Sequence, residues 1–320
     1  MRLAIIGQQA FGQSVLEAFH TRGDDVAGVF CAPEKPGAKP DPLKVAAEKL
    51  GVKVFQLPSL KGAPAEEAMK SLNVEIGIMA FVLQFAPQGF VNIPKHGTIQ
   101  YHPSLLPKYR GPSSINWPII RGEKQTGLTI FRPTDGLDEG PIVLQKTTDI
   151  GPNDTLGSVY FDRLYPMGVA AMVEAADLVV AGRHKELVQD ESQASYEGWA
   201  KDPEAVINWR AHVTDIHNLI RGCDPAPGAW AMFGDKKVRF YEAKKELARR
   251  FADVTGKIGE VTAIGPETLS INLQGGRLDI GKARIDGTKD KLSGAALASQ
   301  LGLAAGSNVI APAQPATATT

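Results

Sequence analysis

The feature that most constrains this chain is a set of short, continuously apolar runs separated by helix-spaced ones. Leu3-Ala4-Ile5-Ile6 offers no polar position on either face. A strand of that kind has to be covered on both sides, which a sheet achieves when helices pack on each face. After it, Gly12, Val15, Leu16 and Phe19 recur at helical spacing, and Leu43, Ala46, Ala47 and Leu50 do so again after a second apolar run at 26–30. The pattern predicts strands over 3–6, 26–30, 52–55, 76–81, 97–100, 126–131 and 142–145. It predicts further helices over 64–71, 113–121 and 155–180, with Asp154 as N-cap of the last and Pro166 placed to kink or split it. Strands alternating with helices over the first ~180 residues define an α/β class, a mostly parallel, doubly wound sheet.

The rhythm then changes. Residues 181–203 are polar and irregular and read as a linker. Beyond them a short helix over 213–221 is followed by strand-like runs at 237–243, 258–264, 268–273 and 277–285, separated by glycines, as in a small barrel. The expected organisation is a first domain over 1–181, a linker over 182–203, a second domain over 204–310 and a disordered Ala/Pro/Thr tail over 311–320.

Composition removes several classes of function. Thirty-five basic residues balance 35 acidic ones, so no net field draws in nucleic acid or a membrane. No apolar run reaches the ~18 residues of a membrane span, and the chain enters a strand directly from Met1-Arg2-Leu3-Ala4 rather than from a signal peptide. Cys31 and Cys223 are far apart and read as reduced thiols, which points to the cytoplasm. No Cys/His cluster suggests a metal. Gly7 and Gly12 do not make G-x-G-x-x-G, so a structural β–α turn is favoured there over a nucleotide site. The loop over 31–42 holds four prolines, with Lys35 and Lys39 in it and Lys44 just beyond, and reads as a solvated surface loop rather than a phosphate contact.

Candidate chemistry centres on His102, placed where the 97–100 strand gives way to a loop stiffened by Pro103, Pro107 and Pro112. In an open α/β sheet that is where ligands bind. Asp138 follows 36 residues later, in a loop between two strands. A histidine and a carboxylate could form an acid–base pair, although spacing alone is only suggestive. The apolar loop over 82–87 could hold a flat heterocycle or be ordinary core. The other five histidines read as structural or solvated.

The segments His102-Pro103-Ser104-Leu105-Leu106-Pro107-Lys108-Tyr109-Arg110-Gly111 and Asp135-Gly136-Leu137-Asp138-Glu139-Gly140 resemble the signature of the enzymes that use 10-formyltetrahydrofolate. Tyr196-Glu197-Gly198, Ile207-Asn208-Trp209 and Pro227-Gly228-Ala229-Trp230 extend the likeness to about residue 310. It is strongest to the hydrolase domain of 10-formyltetrahydrofolate dehydrogenase, and methionyl-tRNA formyltransferase is also similar. The resemblance implies a Rossmann-like formyltransferase domain, an OB-like barrel domain, and 10-formyltetrahydrofolate as formyl donor. It implies His102 and Asp138 as catalytic groups, and Gln84, Phe85, Ala86, Ser104, Leu105, Leu106, Pro107 and Asp138 as folate contacts.

One position departs from that pattern. Gln100 stands where the transferases place Asn, and its amide reaches ~1.5 Å farther; the hydrolase-type relatives tend to carry an apolar residue. The favoured reaction is hydrolysis to tetrahydrofolate and formate, with Gln100→Ile expected to be tolerated. The alternative is transfer to an amine such as methionyl-tRNA or an amino sugar, tRNA being disfavoured by the short 31–42 loop. A non-catalytic folate binder is disfavoured because His102 and Asp138 are both intact. Because the dehydrogenase relatives carry further carrier and oxidising domains and this sequence stops at 320, formyl oxidation by this chain alone is not expected; nor is a regulatory domain of the bacterial deformylase kind expected before Met1. Whether a separate dehydrogenase works with it is open.

Overall fold

The structure, a computed structural model, describes residues 1–250, 253 and 256–310. The expected tail over 311–320 lies outside the described residues. The chain forms two compact units. The first comprises Met1–Ser114, Thr126–Asp149 and Phe161–Glu197; the second comprises Ile115–Gln125, Ile150–Tyr160 and the chain from Gly198 on.

In the first unit, β1 (Arg2–Gly7), α1 (Gln9–Arg22), β2 (Asp25–Cys31), α2 (Pro42–Lys49), β3 (Val54–Gln56), α3 (Ala63–Leu72), β4 (Ile76–Ala80), α4 (Gln88–Val91) and β5 (Thr98–His102) alternate as the apolar pattern predicts, apart from the short α4, which that pattern does not show. After α5 (Asn116–Ile120) come β6 (Gln125–Phe131) and β7 (Ile142–Asp149). The sheet runs β3-β2-β1-β4-β5-β6-β7. Strands β1 to β5 pair in parallel, and β6 runs antiparallel to β5. The chain order reverses between β1 and β4, which opens a crevice at the carboxyl ends of those strands.

Close approach at that crevice explains the first glycine. A Cβ on Gly7 would lie 2.1 Å from the Ala80 carbonyl oxygen, so the end of β1 can lie against β4 only without a side chain. Gly12, on α1, would put its Cβ 3.0 Å from Leu43 of α2. Both glycines are thus used in packing. One core lies on the α1, α2 side of the sheet, with Leu3, Ile5, Val15, Leu16, Phe19 and Ile78 all at 0% exposure, and another on the α3 side around Phe30, Met69 and Phe90.

The helix expected over 155–180 is divided. Thr155, not Asp154, caps α6 (Leu156–Val159) in a reciprocal pair with Ser158, while Asp154 accepts from the Ser158 hydroxyl and the Gly151 amide. A π-turn over Tyr160–Leu164 follows, and α7 (Tyr165–Val180) starts afresh with Pro166 in its first turn. Proline has no N–H to donate four residues back, so the break falls where the ladder loses a bond.

The second unit holds α8 (Val213–Gly222), β8 (Ala229–Phe233), β9 (Lys236–Leu247), β10 (Val261–Ile264), β11 (Leu269–Leu273), β12 (Gly276–Ile285) and α9 (Gly294–Leu301). The strands make an antiparallel sheet in the order β10-β11-β12-β9-β8, with β10 and β8 at its edges. Strand β8 follows directly on the Pro/Gly-rich stretch at 225–228, where the sequence pattern predicts no strand; it gains its pairing from β9 by a tight hairpin at 234–235. Among the described residues, no helix is long and apolar enough to cross a membrane, and no group of three His, Cys, Asp or Glu is placed to hold a metal ion.

Candidate active site

The site is built on the carboxyl ends of β4 and β5. Gln100 lies between Met79 of β4 and Phe131 of β6, and His102 is the last residue of β5, opposite Thr129. Beside Gln100 is a cavity of about 240 Å³, floored by Met79 and Phe131 and walled by residues 82–86 and 133–138. Of the residues singled out from sequence, Gln84, Phe85, Ala86, Gln100 and Asp138 line it. A larger cleft of about 710 Å³ in the second unit, lined by Arg210, Lys257 and Glu260 among others, brings together no such acid–base set.

The two walls are braced against each other. Gln88 at the start of α4 donates its backbone N–H to Asp135 Oδ1 at 3.2 Å and its side-chain amide to the Pro133 carbonyl at 2.9 Å. Gln84 uses its amide on the Leu57 carbonyl at 2.9 Å. Leu83, Phe85 and Leu137 remain exposed and form an apolar rim.

His102 and Asp138 are both buried. His102 Nδ1 lies 3.5 Å from Asp138 Oδ2, and Nε2 donates to the Tyr109 carbonyl at 2.9 Å. Asp138 Oδ2 also accepts from the Gly111 backbone N–H at 2.9 Å. Tyr109 and Asp138 have positive φ values of 59° and 53°, so both groups facing the imidazole sit on left-handed backbone that L-residues adopt at a cost. Both ring nitrogens thus face the protein, and His102 is not part of the cavity wall. Among the described residues the Gln100 amide makes no hydrogen bond, and neither does Asp138 Oδ1. These two polar groups remain uncommitted at the wall.

The loop after β5 is fastened to β6 and β7. Thr129 Oγ1 donates to the Ser104 carbonyl at 2.7 Å and accepts from the Leu106 N–H at 3.1 Å. Gln145 of β7 donates to the Leu106 carbonyl at 2.6 Å. The Ser104 hydroxyl closes the loop on the Lys108 carbonyl, and Leu106 packs with Phe131 and Ile142. Ser104, Leu105, Leu106 and Pro107 therefore lie outside the cavity lining and shape the loop that carries His102's partners.

Sequence reasoning missed a second layer. The segment read as a linker runs back along the site. Its Ser195 accepts the Tyr109 N–H on its hydroxyl and the Arg110 N–H on its carbonyl, and Glu197 N–H donates to the Arg110 carbonyl. A Cβ on Gly111 would lie 2.4 Å from the Glu197 carbonyl oxygen, and Gly111 has φ 103°, so only glycine fits beneath the strap. The Arg110 guanidinium pairs with Glu191, which raises its pKa against the desolvation it suffers on burial. It also bonds Gln189, whose own amide reaches the Asp138 loop. A polar run such as Gln189-Asp190-Glu191 carries no local sign of burial; only the separation of its partners in sequence conceals it.

A histidine at the end of β5 thus lies beside a carboxylate, next to a cavity at the carboxyl ends of a doubly wound sheet, and likeness to known proteins gives the class of enzyme. A family profile described as formyl transferase matches residues 1–176, and one described as the formyl transferase C-terminal domain matches residues 201–301. The chain belongs to the formyl transferase family. It is 45% identical over 246 residues to mitochondrial 10-formyltetrahydrofolate dehydrogenase of Homo sapiens, covering 75% of this chain and 26% of that protein. It thus spans about a quarter of the length of that relative. It is 32% identical over 294 residues to methionyl-tRNA formyltransferase of Geotalea uraniireducens (strain Rf4), covering 90% of this chain and 92% of that one. The fold is also that of HypX from Aquifex aeolicus, solved in complex with tetrahydrofolic acid: TM-score 0.66 at 21% identity, over 94% of this chain and 47% of that chain.

Proposed function

We propose that the protein removes the formyl group of 10-formyltetrahydrofolate with water as acceptor, giving tetrahydrofolate and formate. The observation that carries this reading is the meeting of Gln100 and Asp138 at one apolar cavity, with His102 directly behind the carboxylate. At about 240 Å³ the cavity falls below the ~300–1,000 Å³ of sites that enclose a whole drug-sized ligand. It suits a flat pterin held by Gln84, Phe85 and Ala86, with the remainder of the folate leaving over Leu83 and Leu137. Ser104, Leu105, Leu106 and Pro107 serve the folate through the loop they hold.

The chemistry follows from what each group has free. Water attacks the formyl carbon, a C–O bond forms, and charge develops on the former carbonyl oxygen. The unbonded Gln100 amide donates to that oxygen. Asp138 Oδ1 takes the water's proton while Oδ2 stays fixed on Gly111, next to His102. The C–N10 bond then breaks and the proton passes through His102 to N10. For that step Nε2 gives up the Tyr109 carbonyl. One water is consumed and no oxidant is needed.

Transfer to an amine is the second reading, favoured by one observation: Gln100 presents an amide at the position where the transferases carry Asn. The relatives' names include a tRNA formyltransferase and a sugar N-formyltransferase. The shortness of the 31–42 loop favours a small acceptor over tRNA, and Lys44 just beyond it is paired with Glu34 and Glu48. A cytoplasmic location is part of this reading; Cys31 and Cys223 are buried free thiols. The deciding assay follows tetrahydrofolate and formate together, first with 10-formyltetrahydrofolate alone and then with amino sugars or charged initiator tRNA. Equal release of both products without an acceptor is the hydrolase outcome; tetrahydrofolate formed only with an amine overturns it.

A further inference from the structure

We infer that Gln189 is the positioning residue for Asp138, acting as a two-sided clamp between the His102 loop and the Asp138 loop. Its carbonyl oxygen accepts from Arg110 Nε at 3.2 Å and Nη2 at 2.8 Å. Its NH₂ donates to the Asp138 carbonyl at 2.8 Å and the Gly140 carbonyl at 2.7 Å. All four directions are used, and the side chain is 5% exposed. A buried amide with every donor and acceptor paired resists rotation, since any turn leaves polar atoms unpaired in a dry place.

The clamp acts where the backbone most needs holding. Asp138 has φ 53°, a conformation that persists only when its surroundings over-determine it. Its carboxylate then reaches the Gly111 N–H, one residue beyond the Arg110 that Gln189 grips. Gln189 thus closes a ring through Arg110, Gly111 and Asp138. The charged groups around this ring are Arg110, Glu191, Glu139 and Asp138 itself. Glu191 is exposed and shares Arg110 from outside, so among the described residues it is the Gln189 side chain that links the Arg110 guanidinium to the Asp138 turn.

The kinetic part of the test rests on the function proposed above, and the exchange part does not. Gln189→Met keeps length and volume but removes the amide. Gln189→Glu keeps an acceptor for Arg110 and removes both N–H donors, setting a carboxylate against two carbonyls. In both variants we expect hydrogen exchange of the Gly111 amide to quicken by ~10-fold or more, the size of a lost charge-assisted hydrogen bond. Exchange in β1 and β4 should stay as in the parent. The kcat for formyl removal should fall by up to ~10²-fold, as for a catalytic group displaced by ~1 Å, while 10-formyl-5,8-dideazafolate binds within threefold of the parent. If the parent itself does not act on 10-formyltetrahydrofolate, the proposed function fails and the Gly111 measurement still decides the clamp. Unchanged Gly111 protection in both variants, full activity in Gln189→Glu, or faster exchange throughout β1 and β4 overturns the inference.

Discussion

The carboxylate of Asp138 and the backbone amide of Gly111 meet at 2.9 Å, closing two loops that lie 27 residues apart in sequence. The same oxygen faces His102 Nδ1 at 3.5 Å. The acid–base pair is therefore held by backbone as well as by side chains, and this geometry sets the outcome of several substitutions.

Asp138→Asn and His102→Ala should each lower turnover by ~10²–10⁴, the usual cost of a positioned acid–base group. Circular dichroism and the melting temperature should stay close to the parent's, since neither residue belongs to the main apolar cores. Near-parent formate and tetrahydrofolate release from either variant would remove the pair from the mechanism.

The sequence alone predicts that Gln100→Ile is tolerated. The structure turns both nitrogens of His102 toward the protein and leaves the Gln100 amide as the donor at the cavity wall. We therefore expect Gln100→Ile to lower kcat by ~10²-fold or more, as for loss of an oxyanion donor, with little change in KM. Gln100→Asn should retain part of the activity. A fully active isoleucine variant would return the oxyanion to His102.

Phe85→Ala should weaken 10-formyl-5,8-dideazafolate binding about tenfold, from ~0.5–1.5 kcal/mol of ring contact plus lost apolar area. Phe85 is half exposed at the cavity rim with Lys61 over its ring, so its removal should not disturb the core. Titration of the variant checks this, and unchanged affinity would move the folate away from residues 82–86. Truncation near residue 200 is a poor substitute, because Ile115–Gln125 and Ile150–Tyr160 belong to the second unit.

The second unit should lose stability in acid through His217. Its ring is fully buried on the Ala243 carbonyl, and burial together with the charges of Lys245 and Arg221 pulls its pKa down to about 4. Above the unfolded value of ~6.5 neither state holds the proton, and the native state keeps its full stability. As pH falls from ~6.5 to about 4, the unfolded chain gains the proton and the folded one does not, which lowers stability by up to ~3 kcal/mol. Urea midpoints at pH 7 and pH 4.5 measure the slope, and His217→Gln should flatten it. An equally steep slope in that variant would place the titration elsewhere.

Gly7→Ala should cost ~1–3 kcal/mol or more by overpacking, because its Cβ would meet the Ala80 carbonyl oxygen, a backbone atom without a rotamer to yield. Equilibrium unfolding of the variant checks it; a neutral result would mean that β1 and β4 can part at no cost.

Much of this was legible beforehand because it is periodic or local. Both-face apolar runs identify β1, β2 and β4 wherever they occur, since a fully buried strand permits no polar position. His102 at a strand end and Asp138 in an inter-strand loop follow from the same reading. Three elements were not visible in this way. The capping of α6 by Thr155 and the π-turn before Pro166 depend on which of several competent side chains closes the bond. Strand β8 depends on a partner, β9, that a short run cannot announce.

The sequence by itself determined the sheet class, the order of its strands along the chain and the two motifs, because hydrophobic period and chain stiffness act over a few residues. Only the tertiary structure decided what each polar group does. It assigned Gly7 to a close approach of strands, turned His102 from the cavity onto Tyr109, left Gln100 facing it, and made a polar strap into the support of Arg110 and Asp138. The physical reason is that a buried hydrogen bond is worth most where its partners are dry and complete. Partners such as Gln189 and Asp138, 51 residues apart, become so only after the chain has folded.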